Sequence, residues 1–139
     1  MVLASDGAVT GTITQQTKKL SIIDDCIVIG SSGPVGLSQR LAGTLGYYCK
    51  NVDYSKVDAF LLMTELARRF REHIQMESAI AQNLQNLAPW ANSIWQSFTL
   101  VALPLQGSAR LFSFDMSCAP TESTDSLPYF SIGSGNYLV

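Results

Sequence analysis

Short apolar runs alternate with polar turns along the first part of the chain, and this pattern predicts β-strands. Residues 2–5 and 26–29 are continuous apolar runs of the buried type, whereas residues 13–22 alternate apolar with polar positions toward their end. Asp24 and Asp25 separate the last two runs and are typical turn residues. We therefore expect residues 13–22 and 26–29 to pair as a hairpin.

Apolar residues then recur every three or four positions, which predicts two amphipathic helices. The first opens at Gly33-Pro34, because proline favours the first turn of a helix, and its apolar face is Leu37, Leu41, Leu45 and Tyr48. The second begins near Ser55, a favourable N-cap. Its predicted stripe is Val57, Phe60, Leu61, Thr64, Ala67, Phe70 and Ile74. The pattern of residues 76–90 is ambiguous, and Pro89 ends any helix there.

Strand character returns in the last third of the chain. Residues 94–103 and 109–115 are the predicted strands, and residues 104–108 between them suit a hairpin. A short strand at 129–132 follows a polar loop at 121–126. Strands, two helices and strands again predict an α+β protein with helices packed on a mainly antiparallel sheet, because a doubly wound parallel sheet would need strands and helices to alternate.

Composition narrows the class of protein further. A chain of 139 residues with 47% hydrophobic and 14% charged residues is typical of a single globular domain. The net charge of −2 gives no reason to expect nucleic acid or an anionic membrane as a partner. We expect no signal peptide, and no apolar run approaches the ~20 residues of a membrane span. We expect a soluble, cytoplasmic protein.

The residues that usually bind metals or phosphates are sparse. The three cysteines, Cys26, Cys49 and Cys118, lack metal-type spacing and are expected to be reduced and mostly buried. His73 is the single histidine, which excludes a histidine cluster, and it is expected at the surface of an arginine-rich helix. The glycine-rich turn that ends at Gly33 has no following Lys-Ser/Thr, so it is not a phosphate loop. The sequence predicts no metal and no organic cofactor.

The order of features in the N-terminal region resembles that of proteasome β-type subunits, which are N-terminal-nucleophile (Ntn) hydrolases. Asp6 follows an apolar run, Lys19 stands in a Lys-Lys-hydrophobe motif before the next strand, and Gly33 ends the small-residue turn before a helix. A late Gly-Ser-Gly motif places Ser134 where the family has a serine. The resemblance implies an αββα sandwich, with antiparallel sheets inside and helices outside.

The resemblance also implies roles for these residues. An N-terminal nucleophile needs a cation that favours its ionisation and backbone N–H groups aimed at the oxyanion. Lys19 matches the lysine beside the nucleophile, Asp6 the aspartate that holds this lysine, and Gly33 the glycine whose N–H serves the oxyanion. Ser134 matches the serine near the nucleophile's amine. Thr10 matches a threonine whose backbone pairs with extended substrate peptides.

Spacing supports this match, although each residue alone also has an ordinary structural interpretation. Lys19 and Gly33 are fourteen positions apart, as in the family, whereas Asp6 and Lys19 are thirteen apart, about three fewer than usual. Alone, Asp6 is a turn residue, Lys19 a solvated strand lysine and Gly33 an ordinary strand-to-helix turn. The intervening Gly7-Ala8-Val9 departs from the family's pattern and puts the substrate contacts in question.

Both ends differ from the family pattern. Met1 falls within the family's second strand, so the strand that carries the nucleophile is missing, and two helices and further strands are missing at the other end. We therefore expect residues 1–139 to be a single partial domain, truncated at both ends.

The leading hypothesis is a proteasome-like threonine-type endopeptidase, present as a fragment without its nucleophile, that cleaves peptides within a ring of like subunits. A hydrolase of the same fold acting on another amide is possible. The alternative from another class is a non-catalytic structural subunit of a proteasome-like ring. An unrelated α+β binding domain would place Asp6 and Lys19 far apart.

Overall fold

The computed structural model describes residues 3, 5, 8–9, 15–16, 19–84, 97–115, 117–128 and 130–132. In chain order the elements are β1 (Ala8–Val9), β2 (Gln15–Gln16), β3 (Leu20–Ile23), β4 (Ile27–Ser32), α1 (Val35–Cys49), α2 (Ala59–Leu84), β5 (Phe98–Leu105), β6 (Ser108–Phe114) and β7 (Pro120–Glu122).

The main sheet has five strands in the order β3-β4-β5-β6-β7, and every neighbouring pair is antiparallel. The short strands β1 and β2 form a separate antiparallel pair. The predicted α+β class with helices on an antiparallel sheet is confirmed.

Two tight turns set the register of the sheet. Asp24 and Asp25, between β3 and β4, have φ of 49° and 55°, and Gln106 and Gly107, between β5 and β6, have φ of 52° and 82°. Two successive left-handed residues match the right-handed twist of the flanking strands. Both predicted hairpins are confirmed. Cys26 was wrongly predicted in a buried strand, because it is the exposed end of the first turn.

The core lies between one face of the sheet and the two helices. Alternate positions of the strands point toward it, as the pleat requires: Ile27, Ile29, Val101, Leu103, Phe112 and Phe114 are all buried. Phe70 of α2 meets Phe114 edge to face, with ring centroids 5.1 Å apart. Leu37, Leu41 and Leu45 of α1 are buried and Tyr48 is half-buried, as the spacing predicts.

Helix α2 differs from its prediction in its start and in its buried face. Ser55 is not the N-cap; Asp58 is, since its Oδ1 accepts a 3.0 Å hydrogen bond from the Leu61 amide. Phe60 and Leu61, placed in the predicted stripe, are 76% and 65% exposed. The buried residues are Leu62, Met63, Leu66, Ala67, Phe70, Ile74 and Ala81. The helical phase follows the i+4 row through Phe70, and residues 60 and 61 lie off that row.

The last described strand lies where a polar loop was predicted. β7 begins at Pro120, one residue before that segment, and includes its first two residues. Its polar residues suffice because β7 is an edge strand. The predicted strand at 129–132 is wrong for residues 130–132, which form no strand. Of the first predicted strand, Leu3 and Ser5 are described, and neither is in a strand. No helix in the described part of the chain is long and apolar enough to cross a membrane.

A bidentate ion pair joins the last two strands and gives stability a dependence on acid pH. Arg110 Nε and Nη2 donate to the carboxylate of Glu122 at 2.5 and 2.7 Å, and this pairing lowers the pKa of Glu122. Because the folded-state pKa lies below the unfolded value, the pair stabilises the fold above that unfolded value. The contribution is lost as pH falls through the folded-state pKa.

Glu122→Gln is therefore expected to lower the free energy of unfolding by about 0.5–1 kcal/mol at neutral pH, a modest value because both side chains are partly exposed. Denaturant unfolding from pH 7 to pH 3 measures the difference, which should shrink toward the acidic end as Glu122 becomes protonated in the folded state. Asp125→Asn, an exposed carboxylate, is the control. An equal loss at both ends of the range would contradict the assignment.

Candidate functional site

One end of the sheet brings together Lys19 and the start of the Gly33 turn. Leu20 pairs with Gly30 in the β3–β4 ladder, so Lys19 lies beside the strand just before that turn. A Cβ at Gly30 would lie 2.6 Å from Leu20 Cδ2 and 3.8 Å from the Lys19 carbonyl oxygen. The close neighbour of Gly30 is therefore the end of the Leu20 side chain, whereas the Lys19 carbonyl oxygen is at an ordinary van der Waals distance.

Gly33 forms the turn between β4 and α1. Its φ is +109°, a conformation that L side chains rarely adopt. A Cβ there would lie 2.4 Å from Ser97 Oγ and 3.2 Å from Ser97 Cα. Glycine is therefore required at this position for two separate reasons, its backbone conformation and the close approach of Ser97.

Hydroxyl groups of β4 and β5 stand next to this turn. Ser31 and Thr99 are cross-strand partners, and their hydroxyl oxygens are 3.3 Å apart. Ser97, just before β5, is 3% exposed, and its Oγ has no hydrogen-bond partner among the described residues. A buried hydroxyl without a partner is uncommon, so Ser97 marks this end of the sheet as unusual.

Helix α1 begins directly after the turn. Pro34 occupies the N-cap position and makes no side-chain cap, and the first turn carries no acidic residue. The first amides of a helix have no partner within it and carry the positive end of its dipole. These amides make the start of α1, next to Gly33, favourable for negative charge. The arrangement can stabilise an oxyanion.

The structure brings together two of the five residues that the sequence singles out. Lys19 and Gly33 are at the same end of the sheet. Asp6, Thr10 and Ser134 lie outside the described residues. The Asp6–Lys19 ion pair and the catalytic or binding roles of all five residues stay predictions.

Sequence reasoning missed Ser97. Its segment is predicted as a strand, but a single serine before an apolar strand gives no chemical signal. Its importance comes from the β4–β5 register, which joins residues far apart in the sequence. Only this register places Ser97 against Gly33.

A second concave surface lies between the two helices, away from the sheet. This groove, of about 360 Å³, is lined by Arg40, Gly43, Thr44, Tyr47, Arg69, Glu72 and His73. His73 was predicted at the surface; it is half-buried, and its Nε2 is 2.8 Å from Thr44 Oγ1. The arginines are already paired, Arg40 with Glu77 and Arg69 with Glu65. The Arg40–Glu77 and Thr44–His73 contacts join the two helices, whereas the Arg69–Glu65 pair lies within α2, and these contacts supply no reactive group.

The cysteine thiols are not activated. Burial raises the pKa of Cys49 and of Cys118 to about 11. Cys26 is exposed, yet desolvation, with Asp24 and Asp25 nearby, also raises its pKa. Since the thiolate is the nucleophilic form, these thiols are poor nucleophiles near neutral pH.

Comparison with known proteins identifies the fold. No protein-family model matches the sequence, and no curated protein is found as a relative. Among solved structures, Anbu (ancestral beta-subunit) from Yersinia bercovieri is 20% identical, with a TM-score of 0.63 over 96% of this chain and 56% of its own. Anbu from Hyphomicrobium sp. strain MC1 is 17% identical, with a TM-score of 0.58 over 96% of this chain and 56% of its own.

The eukaryotic HslV from Trypanosoma brucei is also similar, at 16% identity and a TM-score of 0.50 over 95% of this chain and 64% of its own. At these identities the likeness shows the fold, which is of the Ntn-hydrolase, proteasome-like type. The chain spans just over half the length of the Anbu proteins that it matches.

Proposed function

We propose that this chain carries the lysine and the oxyanion glycine of a proteasome-like threonine-type endopeptidase, which hydrolyses peptide bonds with an N-terminal nucleophile. The observation that supports it most is that Lys19, which precedes the Leu20–Gly30 pair, and the Gly33 turn lie at the same end of β3 and β4. Both residues belong to a fold that is similar to the folds of Anbu and HslV over 95–96% of this chain.

The proposed reaction follows from the chemistry of these groups. The nucleophile's hydroxyl gives its proton to the free α-amine and attacks the peptide carbonyl carbon, and the Lys19 ammonium favours its ionisation. The carbonyl oxygen becomes an oxyanion that accepts a hydrogen bond from Gly33 N–H. When the C–N bond breaks, the leaving amine takes this proton from the α-ammonium. Water then hydrolyses the ester, which releases the carboxylic acid and restores the hydroxyl.

The other candidate residues have supporting roles in this proposal. Asp6 orients the Lys19 ammonium, and Ser134 hydrogen-bonds near the α-amine. Thr10 pairs through its backbone with an extended substrate peptide. The substrates are unfolded or peptide chains, and the active form is a ring of like subunits.

The decisive experiment is intact mass and N-terminal sequencing of the protein from its native source. A mature chain that begins with threonine, serine or cysteine is expected, together with cleavage of fluorogenic peptides. Acetylation of the α-amine should abolish that cleavage, because the amine is the base.

A mature chain that begins with any other residue contradicts the proposal. It would support the alternative function, a non-catalytic subunit of a proteasome-like ring. The native mass of the assembly tests separately whether the active form is a ring. A monomer with full activity would contradict that part of the proposal.

A further inference from the structure

Ser97 lies directly under the Gly33 turn because the β4–β5 register brings it there. Ser31 pairs with Thr99 and Ser32 pairs with Phe98. The next pair in this register is Gly33 with Ser97, but β4 ends at Ser32 and the chain turns at Gly33 into α1. Ser97 therefore lies next to the turn at Gly33, where β4 has ended and, among the described residues, no strand pairs with it.

The contact between the two residues is close. The position of a Cβ at Gly33 lies 2.4 Å from Ser97 Oγ, 3.1 Å from its Cβ and 3.2 Å from its Cα. In glycine a Cα hydrogen points along that same direction, so the Gly33 C–H is aimed at the Ser97 oxygen. Such Cα–H···O contacts are weakly attractive. Ser97 thus packs against the Cα of Gly33.

Burial of the Ser97 hydroxyl is expected to cost free energy of folding. Thr99, on the same strand, is as buried as Ser97, and its hydroxyl lies within hydrogen-bond distance of Ser31. Ser97 Oγ has no such partner among the described residues. An alanine would avoid the cost of burying an unpaired hydroxyl, so stability alone does not account for serine here.

We propose that Ser97 is a positioning residue for the Gly33 amide. Its side chain holds the turn so that Gly33 N–H keeps its direction toward the oxyanion. It acts through Gly33 and does not contact the substrate, because Ser97 Oγ has almost no surface accessible to another molecule. The inference rests on the proposed function in one respect, namely that Gly33 N–H binds the oxyanion.

Ser97→Ala is expected to lower kcat about tenfold and to leave KM within twofold. Removing an oxyanion donor outright costs about 10²–10³ in kcat, and this variant only misplaces one. KM changes little because the oxyanion exists only in the transition state. The melting temperature should stay the same or rise, since the variant removes a buried hydroxyl that has no partner among the described residues. A purely structural serine would not separate kcat from stability in this way.

The experiment measures kcat, KM and melting temperature of the native assembly with a fluorogenic peptide. It compares Ser97→Ala with Gly33→Ala and with Ser113→Ala, a control serine in β6 whose partner is Leu100. If Gly33→Ala lowers kcat and Ser97→Ala does not, Ser97 is not a positioning residue, although the proposed function stands. If the enzyme is active and neither variant changes kcat, the oxyanion role of Gly33 is wrong and the inference falls with it.

Hydrogen exchange of the segment 30–37 tests the positioning independently of activity. Ser97→Ala should speed exchange of the amides around Gly33 relative to wild type, and Ser113→Ala should not. This measurement also applies if the assembly shows no peptidase activity, which would contradict the proposed function. Unchanged exchange in Ser97→Ala would overturn the positioning role.

Discussion

Gly33→Ala is expected to lower the free energy of unfolding by about 3 kcal/mol, because two costs add at this position. The backbone at φ +109° is strained for any residue with a Cβ. The new methyl would also lie 2.4 Å from Ser97 Oγ, so Ser97 or the turn has to move. Denaturant unfolding measures the loss, and the displaced amide should reduce peptidase kcat as well.

A neighbouring glycine provides the matched control. Gly36, in the first turn of α1, has nothing within 4 Å of its Cβ position. Gly36→Ala is expected to be neutral or to stabilise the protein by up to about 1 kcal/mol, since alanine is the better helix former. The double variant Gly33→Ala/Ser97→Gly should recover part of the loss by removing the steric contact. The explanation is wrong if Gly33→Ala is as stable as Gly36→Ala.

Lys19→Met is expected to lower kcat/KM for a fluorogenic peptide about 10³-fold while the fold is retained. Methionine keeps most of the length of the side chain and removes the charge, so the nucleophile loses the cation that favours its ionisation. A charge placed next to developing charge in a partly dry site contributes several kcal/mol to the transition state. The steady-state assay of the native assembly measures the effect, and circular dichroism checks the fold.

Lys56→Met is the control for this prediction. The Lys56 side chain is 83% exposed, and its 3.5 Å ion pair with Asp53 lies at the surface, so its loss should leave kcat/KM unchanged. A Lys19→Met enzyme with activity within threefold of wild type would contradict the role of Lys19. Equal losses in both lysine variants would indicate a general effect of charge and not a specific one.

The parts of the fold that the sequence predicts well are those with a local physical cause. The hairpin after β3 depends on Asp24 and Asp25, which tolerate the left-handed turn, and the start of α1 depends on Pro34. The spacing of Leu37, Leu41 and Leu45 sets the buried face of α1 without help from distant residues. These predictions are confirmed because local chemistry alone decides them.

The errors arise where tertiary contacts choose between similar local options. α2 carries apolar residues on two rows, and packing against the sheet selects the row that contains Phe70 over the one that contains Phe60. β7 forms from polar residues because the β6 edge offers hydrogen bonds and Arg110 offers a partner for Glu122. Neither selection is visible in hydropathy.

The candidate site shows the same division. Lys19 and Gly33 could be chosen from the sequence because a lysine motif and a small-residue turn resemble a known pattern. Ser97 could not, since its role depends on a strand pairing between residues 66 positions or more apart. Residue types in the sequence indicate which side chains are candidates for a site. The register between paired strands decides which of these side chains lie close together.

The pairing of β4 with β5 has a consequence for the order of folding. Each hairpin, β3–β4 and β5–β6, closes over a few residues and can form early. The two hairpins join through the pairing of β4 with β5, and both helices lie between these strands in the sequence. Contacts between residues so far apart in the sequence have the largest entropic cost of loop closure. Lys19 and Gly33 belong to one hairpin and Ser97 to the other. We therefore expect the contact between the Gly33 turn and Ser97 to form late in folding. An early folding species that contains both hairpins would still lack this contact.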